Sequence, residues 1–274
     1  MSPCVGELDE SAFADALEVD PDAAMALLAD MTRATDARLR ELARQLAARL
    51  VLDVARRGPA RRRGTGRIVS APFDVAGGDL DVDASSEAIV ESRAAAALVD
   101  PERLRIRRWV QPRTAVCLLV DRSGSMGGKP LATSAVTAAA VAFRAPDDFS
   151  VVSFSRGSVV VKAQDVPAPV ERVVDGVLAL RGHGTTDLAG ALSVAGRQLA
   201  RSSAGRKVAI LLSDCRQTEA GDVVAAAGVL DELAIIAPAG DADAATELAH
   251  AVGAALTTVT GPTDAADAVT RVLQ

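Results

Sequence analysis

The chain has 274 residues, 49% of them apolar, with a formal net charge of -6. That is enough apolar chain for one large domain or two unequal ones. The acidic balance, the 2% aromatic content and the lack of Tyr argue against a dedicated nucleic-acid binder with a basic face and base-stacking platforms.

Met1 to Ala16 carry acids rather than a basic leader before an apolar stretch, and no run of about 18 apolar residues occurs anywhere. Cys4, Cys117 and Cys215 are widely spaced and form no CxxC pair, so neither a disulfide framework nor a thiolate zinc site is indicated. A cytoplasmic protein without a membrane span is expected.

From Asp9 to about Arg57 the apolar residues recur at helical spacing: Phe13 and Leu17, then Leu27, Leu28 and Met31, then Leu39, Leu42, Leu46, Leu50 and Val54. Two or three packed helices follow from that. Val19-Asp20-Pro21 reads as a stop and restart, with Asp20 as N-cap and Pro21 at the first helical position. Residues 1–57 are thus expected to be an N-terminal helical region.

Residues 58–100 read as a connector. The stretch from Arg56 to Arg67 carries six arginines among Gly and Pro and has no periodicity, as a solvated linker does, although such a loop could also grip phosphate or an acidic surface. Asp79, Asp81 and Asp83 then alternate before a short helix from about Ser85 to Leu98. They imitate the start of a calcium loop, but Val90 stands at the twelfth position and the sixth lacks its glycine.

From Pro101 onward strands and helices alternate. Leu104 to Val110 reads as a lead-in strand, Thr114 to Val120 as the first core strand and Lys129 to Phe143 as a helix. Phe149 to Phe154 and Ser158 to Lys162, joined by Arg156-Gly157, read as a hairpin that sets one antiparallel strand at a sheet edge. Helices near Pro169 to Leu178 and Leu188 to Arg201 lead to the strand Lys207 to Ser213. A helix (Ala220 to Leu230), strand (Leu233 to Ala237), helix (Ala242 to Val252), strand (Ala255 to Val259) and helix (Thr263 to Leu273) complete the chain. The expected fold class is α/β over residues 101–274: a doubly wound, mostly parallel sheet with one antiparallel edge strand, preceded by the helical region.

Ligands bind such sheets outside the carboxyl ends of the strands. The run Val116 to Val120 delivers Asp121, Ser123 and Ser125 into a turn with Gly124, Gly127 and Gly128, an arrangement of small oxygen groups suited to a hard cation. Asp214 follows Ser213 at the end of another strand, and Arg181 to Asp187 reads as a third loop, rich in glycine and hydroxyls.

In these residues the chain resembles a von Willebrand factor A domain with a metal-ion-dependent adhesion site. The family's Asp-x-Ser-x-Ser falls on Asp121, Ser123 and Ser125, its loop threonine on Thr186 and its later aspartate on Asp214. The resemblance implies that Ser123 and Ser125 bind the metal directly, Thr186 directly or through water, and Asp121 and Asp214 mainly through water. It implies Mg2+ as the ion, with Mn2+ able to substitute, and an open position that takes a carboxylate from a partner protein. Cys215 departs from the family's frequent glycine after that aspartate; a thiol there is either a redox sensor or, as read here, a buried inert residue. His183 lies near Thr186 in sequence and is read as a loop residue rather than a ligand.

Catalysis finds no complete constellation. Gly124 to Pro130 imitates a phosphate loop but is one residue short, with Pro130 where the hydroxyl should stand. The G-x-S-x-G elbow is absent, and His183 and His250 are the only histidines. A non-enzymatic, metal-dependent protein-binding module is therefore expected, with neither nucleic acid nor membrane as partner. Leu104 to Trp109 leading into Leu119 to Met126 resembles the CoxE-like proteins that work with MoxR-type AAA+ ATPases, which implies an adaptor between such an ATPase and a client protein. The alternative is a non-motor subunit of an enzyme complex, like the one in magnesium chelatase.

Overall fold

Asp20 ends one helix and begins the next. Helix α1 (Glu10–Val19) stops there, and in α2 (Pro21–Met31) the Asp20 side chain accepts a hydrogen bond from the Ala23 amide at 2.9 Å, with proline at the first helical position where its missing N–H costs nothing. Helix α3 (Ala37–Arg57) follows. The computed structural model describes residues 10–34, 37–57, 67–74, 78–110, 113–123, 127–182 and 184–274. The arginine-rich stretch from Gly58 to Gly66 and the residues Cys4, Ser125 and His183 lie outside them. Among the described residues no helix is long and apolar enough to cross a membrane.

The chain forms two compact units, one of Met1–Arg61 with Thr114–Gln274 and one of Arg62–Arg113. These are cut differently from the three segments 1–57, 58–100 and 101–274. The helical region shares a unit with the large sheet, and residues 101–113 do not.

The smaller unit holds β1 (Arg67–Pro72), β2 (Asp79–Leu80), α4 (Val82–Ala94) and β3 (Arg105–Val110), with strand order β1-β3-β2 and antiparallel pairing throughout. The expected lead-in strand is thus the centre of a separate small sheet. Its charge explains this, because Arg105, Arg107 and Arg108 do not suit a strand buried on both faces. The helix begins at Val82 rather than Ser85 because Asp81 caps it, accepting from the Ala84 amide at 3.2 Å. Arg107 pairs with Asp83 at 2.8 Å and Asp81 at 3.2 Å, so the alternating acids serve a cap and ion pairs. Hydrogen bonds from Ser70 and the Ala84 amide, with Arg107 nearby, hold the Asp81 carboxyl below the usual range.

In the larger unit the sheet comprises β4 (Thr114–Asp121), β5 (Phe149–Phe154), β6 (Ser158–Lys162), β7 (Arg206–Leu212), β8 (Glu232–Pro238) and β9 (Ala255–Val259). The order is β6-β5-β4-β7-β8-β9, parallel except for β6 at one edge. The connecting helices are α5 (Gly128–Arg144), α6 (Val170–Leu178), α7 (Leu188–Leu199), α8 (Val223–Ala227), α9 (Asp243–Val252) and α10 (Pro262–Val272). Helix α8 is shorter than the expected Ala220 to Leu230. Gln217 Nε2 donates to the carbonyls of Glu219 and Gly221, holding those residues in a loop, and Asp222 caps the helix only after them.

The pleat of β4 divides the core. Val116, Leu118 and Val120 pack with α5, α6 and α10, whereas Ala115, Cys117 and Leu119 pack with α7 and α9. Every residue of α5 from Leu131 to Ala142 is buried, so this helix is covered on all sides. Helices α2 and α3 supply the second cover through Met25, Leu28, Ala47 and Val51. The helical region is therefore a fourth layer over α5, α6 and α10.

Candidate metal centre

Strands β4 and β7 run side by side with Val120 opposite Leu212, so Asp121 and Ser213-Asp214 leave the sheet as neighbours at its carboxyl edge. The Asp121 carboxylate is held at both oxygens: Oδ1 accepts from the Ser123 amide at 2.8 Å, and Oδ2 accepts from Ser213 Oγ at 2.6 Å. The first contact is the local turn that aspartate makes two residues ahead. Arg122 N donates to the Phe154 carbonyl at 2.8 Å, fastening the turn to β5 as well.

After Ser213 the chain turns sharply. Cys215 has φ +62°, in the left-handed region that side chains other than Gly enter at a cost. Its amide donates to Ser213 Oγ at 2.9 Å, and the Arg216 amide donates to Asp214 Oδ1 at 3.0 Å. Burial pushes the Cys215 thiol up to about 12, helped by the charges of Asp214 and Asp121. A buried, protonated thiol lacks the accessible thiolate that redox sensing requires.

Thr186 reaches the same edge by another route. Its amide donates to Thr218 Oγ1 at 2.7 Å, and its carbonyl accepts from the amides of Thr218 and Glu219 at 3.2 Å each. The next residue, Asp187, donates its amide to the Ser155 carbonyl at 2.8 Å and caps α7 by accepting from Gly190 N at 2.8 Å. Thr186 is thus tied by its backbone between the end of β5 and the segment that follows Asp214.

A cavity of about 410 Å³ opens at this edge, lined by Asp121, Ser123, Ser213 and Asp214 together with Lys129 and Thr260 among others. Thr186 is not among its lining residues, and Ser125 lies outside the described residues. Among the described residues no group of three or more His, Cys, Asp or Glu side chains could hold a metal ion. Any cation here must rely on hydroxyls and water beside the two carboxylates. Ser123 Oγ, Thr186 Oγ1 and Asp214 Oδ2 make no hydrogen bond among the described residues, which leaves their lone pairs free. That donor chemistry suits a hard, oxygen-seeking ion.

Ser213 and Thr218 were not anticipated. A serine directly before a strand-end aspartate was a usable signal for Ser213; Thr218 carried none, because its contact depends on how two distant loops meet. His250 is exposed in the last turn of α9, a helix that runs back across the sheet and so ends away from the carboxyl edge.

No curated protein matches the chain. Among solved structures it is similar to a von Willebrand factor type A protein from Catenulispora acidiphila, at 18% identity over 60% of this chain and 43% of that one, with a TM-score of 0.47. Proximal thread matrix protein 1 of the mussel byssus shares 16% identity over 59% and 47%, with a TM-score of 0.49. BatB from Bacteroides thetaiotaomicron shares 15% over 58% and 96%, with a TM-score of 0.46. The chain spans less than half the length of the first two. Residues 116–217 match the family model described as the von Willebrand factor type A domain, which supports such a domain over the stretch that carries Asp121, Thr186 and Asp214.

Proposed function

We propose that the chain is a metal-dependent protein-binding module. Asp121, Ser123, Ser125, Thr186 and Asp214 hold Mg2+, for which Mn2+ can substitute, and an acidic side chain of another protein completes the coordination. The observation that carries this reading is the pairing of a fully hydrogen-bonded Asp121 with free oxygens on Ser123, Thr186 and Asp214 at one sheet edge. When bound, the ion supplies a positive charge that neutral hydroxyls cancel poorly, and so attracts a carboxylate. Asp121 orients the turn that bears Ser123, while the Asp187 cap and the Thr218 contact hold Thr186 in place.

The reading is one of binding without catalysis: of the two carboxylates that share the cavity with Ser123, Asp121 already accepts at both oxygens from the Ser123 amide and Ser213 Oγ, and Asp214 is assigned to the ion. A MoxR-type AAA+ ATPase as the partner, with a client protein beyond it, rests on the CoxE-like sequence resemblance alone. The test is capture of partners on immobilised protein in Mg2+ and in EDTA, read by mass spectrometry. Partners held in Mg2+ and lost both in EDTA and in Asp121→Ala support the module; a partner set indifferent to both overturns it.

A further inference from the structure

Helix α5 starts without a cap of its own. Its N-cap residue is Gly127, which has no side chain to accept from the first amides, and these would be orphaned. Asp30, in the last turn of α2, fills the gap from 98 residues away: its Oδ1 accepts from the Gly128 amide at 2.6 Å. The chain is moulded around this carboxylate. A Cβ at Gly127 would lie 3.0 Å from Asp30 Oδ1, one at Gly128 would lie 3.3 Å from Oδ2, and Gly128 takes φ +50°.

The same helix does this twice. Helix α10 also starts on a glycine, Gly261, and there Asp22 accepts from Thr263 N at 3.0 Å and Thr263 Oγ1 at 2.9 Å. Asp22 and Asp30 stand on α2 about 12 Å apart along its axis. The two helix starts they hold carry Lys129 and Gly261, both on the cavity wall beside Asp121 and Asp214. Gly128 is also only five residues beyond Ser123, so the place where α5 begins limits where that turn can lie.

We infer that Asp30 is a positioning residue for the cation site: helix α2 fixes the start of α5 and, through it, the turn that presents Asp121 and Ser123. This rests on the metal reading above. It makes the helical layer part of the site's construction rather than a separate attachment.

The test is Mg2+ affinity of the full chain by isothermal titration calorimetry, with thermal melting alongside. Asp30→Ala is expected to bind about tenfold more weakly, as loss of a supporting contact behind metal ligands does. Asp30→Asn, whose carbonyl oxygen still accepts from Gly128 N, is expected to stay close to the unaltered chain. Asp20→Ala removes the α2 cap without touching α5, and should lower the melting temperature while leaving the affinity unchanged. Unaltered affinity in Asp30→Ala, or an equal loss in Asp20→Ala, overturns the inference while the metal reading stands. An unaltered chain that binds no Mg2+ overturns both.

Discussion

Ser213 Oγ reaches across from the end of β7 to donate a 2.6 Å hydrogen bond to Asp121 Oδ2 at the end of β4. The same oxygen accepts from the Cys215 amide at 2.9 Å, so one small side chain closes a relay from the left-handed turn at Cys215 to the aspartate. Ser213→Ala removes both links. The expected loss is about 1 kcal/mol of stability and roughly tenfold in Mg2+ affinity, because Asp121 is then held only by the Ser123 amide. Denaturant unfolding and metal titration measure the two effects; unchanged affinity would show that Asp121 needs no such support.

Thr186 separates ligation from structure. Its backbone carries the contacts to Thr218 and Glu219, whereas its hydroxyl makes no hydrogen bond among the described residues. Thr186→Ala is therefore expected to cost about 1 kcal/mol of stability, from the buried methyl group and not from a lost hydrogen bond, while weakening Mg2+ binding. A variant that unfolds readily but binds the ion normally would assign the hydroxyl to packing instead.

The legible parts of this fold are those governed by local pattern. The unbroken apolar run Val116 to Val120 announced a strand covered on both faces, and Arg156-Gly157 between two β-rich runs announced the antiparallel edge. Asp121 and Asp214 followed from where their strands end. What was not legible depends on partner choice at long range. The run Leu104 to Trp109 has strand character, but nothing local says that it pairs with Arg67 to Pro72 and not with the core sheet. The amphipathic stripes of α2 and α3 did not name the surface they cover. A clue existed in α5, whose small apolar residues circle the whole helix and demand a cover on both sides. Asp30 looked like any surface acid because its amide partner is so far along the chain.

Asp264, bonded to Thr260 of the cavity wall, sets a pH dependence. Hydrogen bonds from the Thr260 hydroxyl and amide hold its carboxyl below the ordinary value of 3.8, with Arg271 and Lys129 adding to the effect. An acid with a depressed folded-state value contributes stability above its unfolded value and loses it as pH falls through the folded one. The melting temperature of the chain is thus expected to fall more between about pH 5 and about pH 2 than that of Asp264→Asn, which has no proton to take up. Parallel pH profiles for the two proteins would remove Asp264 from the account.

The helical layer and the sheet should unfold together. Leu28 on α2 is 1% exposed and belongs to the same core cluster as Val116, Leu131 and Val269. Leu28→Ala deletes buried carbons where the neighbours are fixed by the sheet on the far side, which costs about 3 kcal/mol. Ile210→Val, in the centre of β7, removes one buried methylene for about 1 kcal/mol. If α1 to α3 formed an independent domain, the first variant would melt that part alone and leave the sheet's transition where it was. A single cooperative unit requires the opposite: both variants shift one calorimetric transition, Leu28→Ala the more. Two transitions that respond separately to the two variants would show the helical layer to be a lodger on the sheet, and would also remove the physical basis for any influence of Asp30 on the start of α5.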